Sequence, residues 1–196
     1  MSVTTLDSNT ALVIIDLQKG IAALPVIHPV DQIAERANAL AAAFRSRGLP
    51  VVLVNVAGGA PGRAEYAHNT ADFPADWTDL IPELTRDAED HLVTKQTWGA
   101  FPGTALESWL RSQGVTQIVL AGIATSIGVE STAREAHALG FNVTLAVDAM
   151  TDLSAEAHDN MRFPHLPLAR RNRYERRDPG PRAQSRILRG STYLGA

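Results

Sequence analysis

The sequence predicts a doubly wound α/β fold, a parallel sheet with helices on both faces, and three observations lead there. Short apolar runs rich in β-branched residues alternate with segments whose apolar residues recur every three or four positions, as buried parallel strands covered by helices require. Glycines at 48, 114 and 140 stand where those helical segments stop, the usual helix terminator. The chain has 196 residues, 45% of them hydrophobic and 20% charged, which suits one domain with a real core and argues against a disordered or fibrous protein.

Ala11 to Ile15 is a short buried strand ended by Asp16. From Val30 to Phe44 the residues Ile33, Ala37, Leu40, Ala41 and Phe44 form one apolar helical stripe. Pro50 leads into a second strand, Val51 to Val56. Residues 57–90 carry Gly58-Gly59, Pro61-Gly62 and six acids between Asp72 and Glu89 without a clear period, and long excursions of this kind serve as lids or oligomer contacts. A third strand is expected from His91 to Thr94 and a helix over Thr104 to Gln113. Gln117 to Ile123 is a fourth strand, Ser126 to Leu139 a helix, Asn142 to Val147 a fifth strand, and a further helix starts at Ala155 to His158. Right-handed crossovers then place ligands at the carboxyl ends of the strands. Asp16, Asn55 to Gly59, Lys95, Ala124 to Gly128 and Asp148 are therefore the positions that matter.

Composition excludes several chemistries. There is no cysteine, which removes disulfide scaffolds, thiolate metal sites and thiol nucleophiles together. No apolar run approaches the ~20 residues of a membrane span, and the first nine residues lack the layout of a secretory leader, so a cytoplasmic protein without a membrane partner is expected. The net charge of −3 conceals an asymmetry: residues 1–160 hold 9 Lys+Arg against 19 Asp+Glu, residues 161–196 hold 9 Arg against 2 acids.

Three elements carry chemistry. Asp16 sits at a strand end behind four apolar residues, where desolvation raises a carboxyl pKa toward neutrality and suits it to proton transfer. Lys95 holds the equivalent place on another strand, and an ammonium nearby pulls that pKa back down. Spacing alone leaves a plainer pair of roles open, Asp16 as a turn cap and Lys95 as a solvated charge. The third element runs from Gly122 through Ala124-Thr125-Ser126-Ile127-Gly128 to Ala133. A tight strand-to-helix turn there exposes backbone N–H groups that suit an anion or oxyanion, or simply starts a helix with Thr125 or Ser126 as its cap.

Together these elements resemble the isochorismatase-like hydrolases, the superfamily that includes nicotinamidases and N-carbamoylsarcosine amidases. The likeness rests on Val13-Ile14-Ile15-Asp16-Leu17-Gln18, on Thr94-Lys95-Gln96-Thr97-Trp98-Gly99-Ala100-Phe101, and on the Gly122 to Ala136 block, and it spans residues 10–160. It implies a three-layer α/β/α Rossmann-like fold with a mostly parallel sheet of about six strands, a small-molecule substrate, and a homo-oligomer. In the amidase members a catalytic Asp, Lys and Cys cooperate, and Gly128 stands where that cysteine would be. The isochorismatases proper also resemble this chain, with glycine at that place and Asp and Lys retained. They imply vinyl-ether cleavage in which Asp16 protonates the enol-ether carbon, water captures the oxocarbenium ion, and the hemiketal collapses to pyruvate and an alcohol. On this reading Asp16, Lys95 and Gly128 are the catalytic positions, Lys95 orienting the acid or a substrate carboxylate.

The resemblance also implies a cis peptide at Ile123-Ala124 and backbone N–H groups around Ala124 and Gly128 that hold an anionic substrate group. Ala124, Thr125, Trp98 and Phe101 are the candidate substrate-binding residues, the two aromatics as walls over a planar substrate or as core packing. A substrate-contacting Gln of the isochorismatases is replaced in Asn55-Val56-Ala57-Gly58-Gly59, which leaves the substrate open. Nicotinamidase-like members bind metal through an Asp-x-His pair and a further His; His68 in Tyr66-Ala67-His68 has no such pair, so no metal and no other cofactor is expected. The alternative function is a catalytically silent member kept for binding or assembly.

The domain is expected to occupy residues 1–166 and an Arg/Pro-rich aberrant tail residues 167–196. Phe163-Pro164-His165-Leu166 fits the family and the likeness then stops. With suitable synonymous codons, reading Leu168 to Pro179 one base later gives Ser-Pro-Asp-Glu-Thr-Gly-Thr, the segment the family has there. A frameshift near Leu166 is therefore preferred to a basic nucleic-acid-binding arm, which would show salt-dependent affinity. Such a tail is expected to be disordered and to lower stability.

Overall fold

A computed structural model of the chain describes residues 7–60, 62, 73–162 and 169–171, with backbone alone at 162 and 169–171. Its elements are β1 (Thr10–Ile15), α1 (Lys19–Ala22), α2 (Val30–Arg45), β2 (Val51–Val56), β3 (His91–Lys95), α3 (Leu106–Ser112), β4 (Gln117–Ile123), α4 (Glu130–Ala138), β5 (Asn142–Thr151), α5 (Ala155–Arg162) and β6 (Ala169–Arg171). The sheet has six strands in the order β3-β2-β1-β4-β5-β6, every pairing parallel. The three-layer fold and the strand count agree with expectation. None of the helices among the described residues is long and apolar enough to cross a membrane.

Alternation along the strands divides the core in two. Val13, Ile15, Val52 and Val54 enter one cluster with Leu106, Leu110 and Val129, on the α3/α4 side. Leu12, Ile14, Val51 and Leu53 enter another with Ile33, Ala37 and Phe44 of α2. Every residue of β1, β2 and β4 is buried, as expected of central parallel strands covered on both faces. The order reverses direction between β1 and β4, the switch point outside whose carboxyl ends folds of this kind bind their ligands.

Several elements differ from the sequence reading. The expected helix from Ser126 begins instead as a wide turn over Thr125–Val129, in which the Val129 N–H reaches back to Ala124 O at 3.1 Å, and only then becomes α4. Strand β5 continues to Thr151 through a register shift opposite Leu120 and Gly122. Asp148 is therefore inside a strand, with its carbonyl accepting from Arg36 Nη1 at 2.5 Å, and is not at the crevice. Helix α1 has no apolar period from which it could be read. Strand β6 comes from the segment expected to be an aberrant tail. The Phe163 to Leu166 stretch, His68 and the rest of the tail expectation lie outside the described residues.

Gly122 is the tightest point of the sheet. Its φ is 116°, and a Cβ there would lie 2.0 Å from the backbone oxygen of Ile15, so both conformation and space demand glycine. Gly122→Ala is expected to lower stability by at least about 2 kcal/mol, read as a fall in the urea unfolding midpoint at unchanged slope.

Candidate active site

The site begins with the backbone at Asp16. This residue follows β1 with φ 52°, a left-handed conformation that Asp tolerates better than most side chains. Its N–H still donates to Val54 O at 2.9 Å, so the chain turns at the sheet's edge while remaining tied to β2. The carboxylate is 5% exposed and meets Lys95 Nζ at 2.8 Å. Lys95, 1% exposed, is the last residue of β3, two strands away. The plainer roles of turn cap and solvated charge are thereby excluded.

All three ammonium protons of Lys95 are engaged. Beside Asp16, it donates to Thr97 O at 3.1 Å and to Trp98 O at 2.9 Å. Lys95 therefore orients the carboxylate and folds the loop after β3 over itself. Asp16 Oδ2 takes the ion pair, whereas the buried Oδ1 has no hydrogen-bond partner among the described residues. Burial pushes the Asp16 pKa up from 3.8 to about 6, and the charge and hydrogen bond of Lys95 hold back part of that rise. A carboxyl group in that range exchanges a proton readily near neutral pH.

Gly128 completes the convergence. A Cβ built there would sit 3.0 Å from Ile15 Cγ2, 3.1 Å from Asp16 Oδ2 and 3.4 Å from Ile123 O. Position 128 thus faces the carboxylate directly, and glycine leaves open the space a side chain would take. The Ile123–Ala124 peptide bond before it is cis, as the resemblance implies.

The substrate-binding candidates divide. Trp98 is 68% exposed, and its carbonyl accepts from Lys95 Nζ. Phe101 does not line the crevice: it is buried in the α3/α4 core, its ring centroid 5.9 Å from that of Phe141, because the loop turns inward after Gly99. Thr125 is fully buried, and its hydroxyl donates to Thr151 O at 3.0 Å and lies 2.8 Å from His158 Nδ1. It braces the turn from below. Ala124 is 7% exposed at the start of the turn. The anion cradle expected around it cannot use three of the local N–H groups, since Ser126 N donates to Asp152 Oδ2 at 2.6 Å, and Ile127 N and Val129 N donate to Ala124 O.

Sequence reasoning missed the residues that hold these parts together. Asp152, 2% exposed, accepts from Ser126 N with one oxygen and from Leu153 N at 2.7 Å with the other. Thr132 accepts from Ala100 N at 3.1 Å and donates to Gly128 O at 2.7 Å, bridging the Lys95 loop to the glycine. Glu135 accepts from Phe101 N at 3.4 Å and packs so closely on Gly99 that a Cβ there would meet its carboxylate; burial pushes its pKa up. Thr132 and Glu135 lie three apart on α4, one helical face, and that spacing was the only signal available.

Residues 10–162 match the Isochorismatase domain family. The chain belongs to the isochorismatase family. Among its relatives is the uncharacterized isochorismatase family protein YwoC of Bacillus subtilis, 45% identical over 166 residues that cover 79% of this chain and 85% of the relative. An isochorismatase family protein from Burkholderia thailandensis superposes with a TM-score of 0.82 at 38% identity, covering 87% of this chain and 94% of its own. The ureidoacrylate amidohydrolase RutB of Pseudomonas syringae is 29% identical over 169 residues, 70% of this chain and 69% of the relative. The members named for an activity are hydrolases, which places this isochorismatase-family chain among hydrolases.

The shifted carboxyl makes this site sensitive to pH. Asp16 binds its proton near pH 6 when folded and near 3.8 when unfolded, so it adds stability as pH falls from 6 toward 4 and withdraws it as pH rises. Carbon-detected NMR titration of Asp16 is expected to give a value near 6 in the native chain, and a higher one in Lys95→Met, where the attracting charge is gone. A value in the ordinary carboxylate range for either protein contradicts the reading.

Proposed function

We propose that this isochorismatase-family hydrolase cleaves a small carboxylated substrate, with a vinyl ether as the bond broken, by general acid catalysis from Asp16. The observation that carries the proposal is the protonatable, buried Asp16 with Oδ1 unpartnered among the described residues, facing a glycine in a chain that has no cysteine. Amide hydrolysis through an acyl-thiol intermediate needs a sulfur nucleophile, which no residue supplies. Vinyl-ether hydrolysis needs a proton donor and water.

The neutral Asp16 carboxyl gives its proton to the enol-ether carbon, leaving a carboxylate and an oxocarbenium ion. The nearby negative charge of Asp16, paired with Lys95, stabilises that cation. Water adds to the cationic carbon and loses its proton, which restores Asp16 to the acid form. The hemiketal then breaks its C–O bond to give a keto acid and an alcohol. Lys95 acts by positioning Asp16, since its donors are already engaged by Asp16, Thr97 and Trp98. Gly128 acts by absence: its open space admits the reacting carbon to the carboxyl. Trp98 forms an apolar rim for the substrate, and oligomerisation is proposed from the family likeness alone.

An acid with this pKa gives a definite pH profile. For hydrolysis of a carboxylated vinyl ether, kcat/KM is expected to be level below pH 6 and to fall about tenfold per unit above it, the reverse of a general base. Asp16→Asn is expected to lose at least ~100-fold. Absence of turnover in both the native chain and the variant, across a panel of such ethers, favours instead a silent member kept for binding or assembly. Gly128→Cys is expected to confer detectable amide hydrolysis once the neighbouring Ile15 methyl and Asp16 carboxylate yield a few tenths of an ångström; a folded, inactive variant would show that Asp16 and Lys95 are not placed to serve a thiol.

A further inference from the structure

A second cavity, of about 600 Å³, lies on the other face of the sheet from Asp16 and Lys95. Alternation along β2 places it there. Val54 packs toward α3 and α4, whereas Val51 and Leu53 pack toward α2, and Asn55 continues the α2-facing series. The segment from Thr78 to Arg86 closes the cavity's outer side. It is held in place by the Gln18–Leu80 bridge and by Asn38, whose side chain donates to Glu83 O at 2.7 Å and accepts from Thr85 N at 2.8 Å.

Three features of the lining point to a ligand. Asn55 is 8% exposed; its Nδ2 donates to Thr78 O at 2.9 Å, which fixes the amide, yet its buried Oδ1 has no partner among the described residues. A buried acceptor held rigidly without a donor is a costly arrangement and marks where a donor belongs. The lining carries charges of both signs, Lys19, Asp79 and Arg86. Lys19 is paired with two carboxylates, Asp76 at 2.9 Å and Asp79 at 3.1 Å, while the Arg86 guanidinium, also on the lining, forms no ion pair among the described residues. Between these polar points the wall is aliphatic, from Ile81, Leu84 and the 41% exposed Leu92.

We propose that this cavity is a second small-molecule site, one that takes an aliphatic carboxylate carrying an O–H or N–H donor. The carboxylate meets Arg86, the donor meets Asn55 Oδ1, and the carbon body lies against Leu84 and Leu92. The site is independent of the hydrolytic centre: it shares no side chain with Asp16, Lys95 or the Gly128 turn. A guanidinium on the lining, an aliphatic wall and a buried acceptor are the usual composition of a pocket for such a ligand.

The test uses 2-hydroxy-4-methylpentanoate as probe, with 4-methylpentanoate as the analogue lacking the donor. Binding to the full chain is followed by saturation-transfer NMR and by the shift of the Asn55 side-chain amide. The hydroxy acid is expected to bind the native chain and Asp16→Asn equally and to move the Asn55 signal. Removing the hydroxyl or replacing the guanidinium in Arg86→Gln is expected to weaken binding about tenfold each, the usual effect of one hydrogen bond to a buried or charged group. Leu92→Trp, which fills the mouth from an exposed position, is expected to abolish it. Arg86 is itself exposed, so its loss reports on the ligand and not on folding. No binding to the native chain at about 10 mM, binding undiminished by Arg86→Gln or by loss of the hydroxyl, binding that survives Leu92→Trp, or binding lost in Asp16→Asn would overturn the proposal.

Discussion

Asp16 and Lys95 are drawn from strands that do not touch, with β2 between them, and their charged groups meet at 2.8 Å almost out of contact with water. Burying either charge alone costs several kcal/mol, and the pair tolerates burial only if its remaining hydrogen-bonding capacity is met. For Lys95 this is done by the carbonyls of Thr97 and Trp98, which obliges the chain after β3 to fold back over the ammonium. That loop is pinned in turn to α4 through Thr132 and Glu135. The helix after β4 thereby stabilises a loop after β3, and both serve a carboxylate at the end of β1.

The pair is unequal in a way that creates chemistry. Lys95 has no donor left over, while Asp16 keeps Oδ1 unpartnered among the described residues. Desolvation outweighs the attraction of the ammonium, so the carboxyl titrates near 6 and not in the acid range of a fully satisfied carboxylate. Had two or three backbone N–H groups reached Asp16, it would be a permanent anion and useless as an acid. Two N–H groups of the turn that carries Gly128 are directed elsewhere: Ser126 N to Asp152 and Val129 N to Ala124. Asp152 therefore shapes the site by holding the turn.

Much of the fold was legible because the strands are uniformly apolar and β-branched. Val51–Val56 and Gln117–Ile123 run as read, and the polar residue that ends β1 marks the crevice. The Asp–Lys–Gly convergence was legible only through the ordered motifs, since local spacing fits a capped turn and a surface lysine equally well. The misreadings have physical causes. Asp148 looked like a strand end because the register shift in β5 cannot be seen in a run of alternating residues, and the true end, Asp152, was hidden behind it. Phe101 looked equivalent to Trp98, yet Gly99 lets the loop press against Glu135, which sends Phe101 into the core and leaves Trp98 outside. Tertiary braces such as Thr125–His158 join residues 33 apart and leave no local pattern.

The end of β2 borders both sites. Asn55 looks toward α2 and the second cavity, and the next residue, Val56, pairs with Lys95 in the sheet. Gln18, two residues beyond Asp16, clamps Val56 from both sides, accepting from its N–H at 2.7 Å and donating to its carbonyl at 3.0 Å. The same amide donates to Trp77 O at 3.0 Å, next to the Thr78 carbonyl that fixes Asn55. Backbone bonds tie the same outer segment to the chain just after Asp16, Ile81 N donating to Leu17 O at 3.1 Å and Lys19 N to Asp79 O at 2.8 Å. Gln18, fully buried, thus touches both the strand end that pairs with Lys95 and the segment that closes the second cavity.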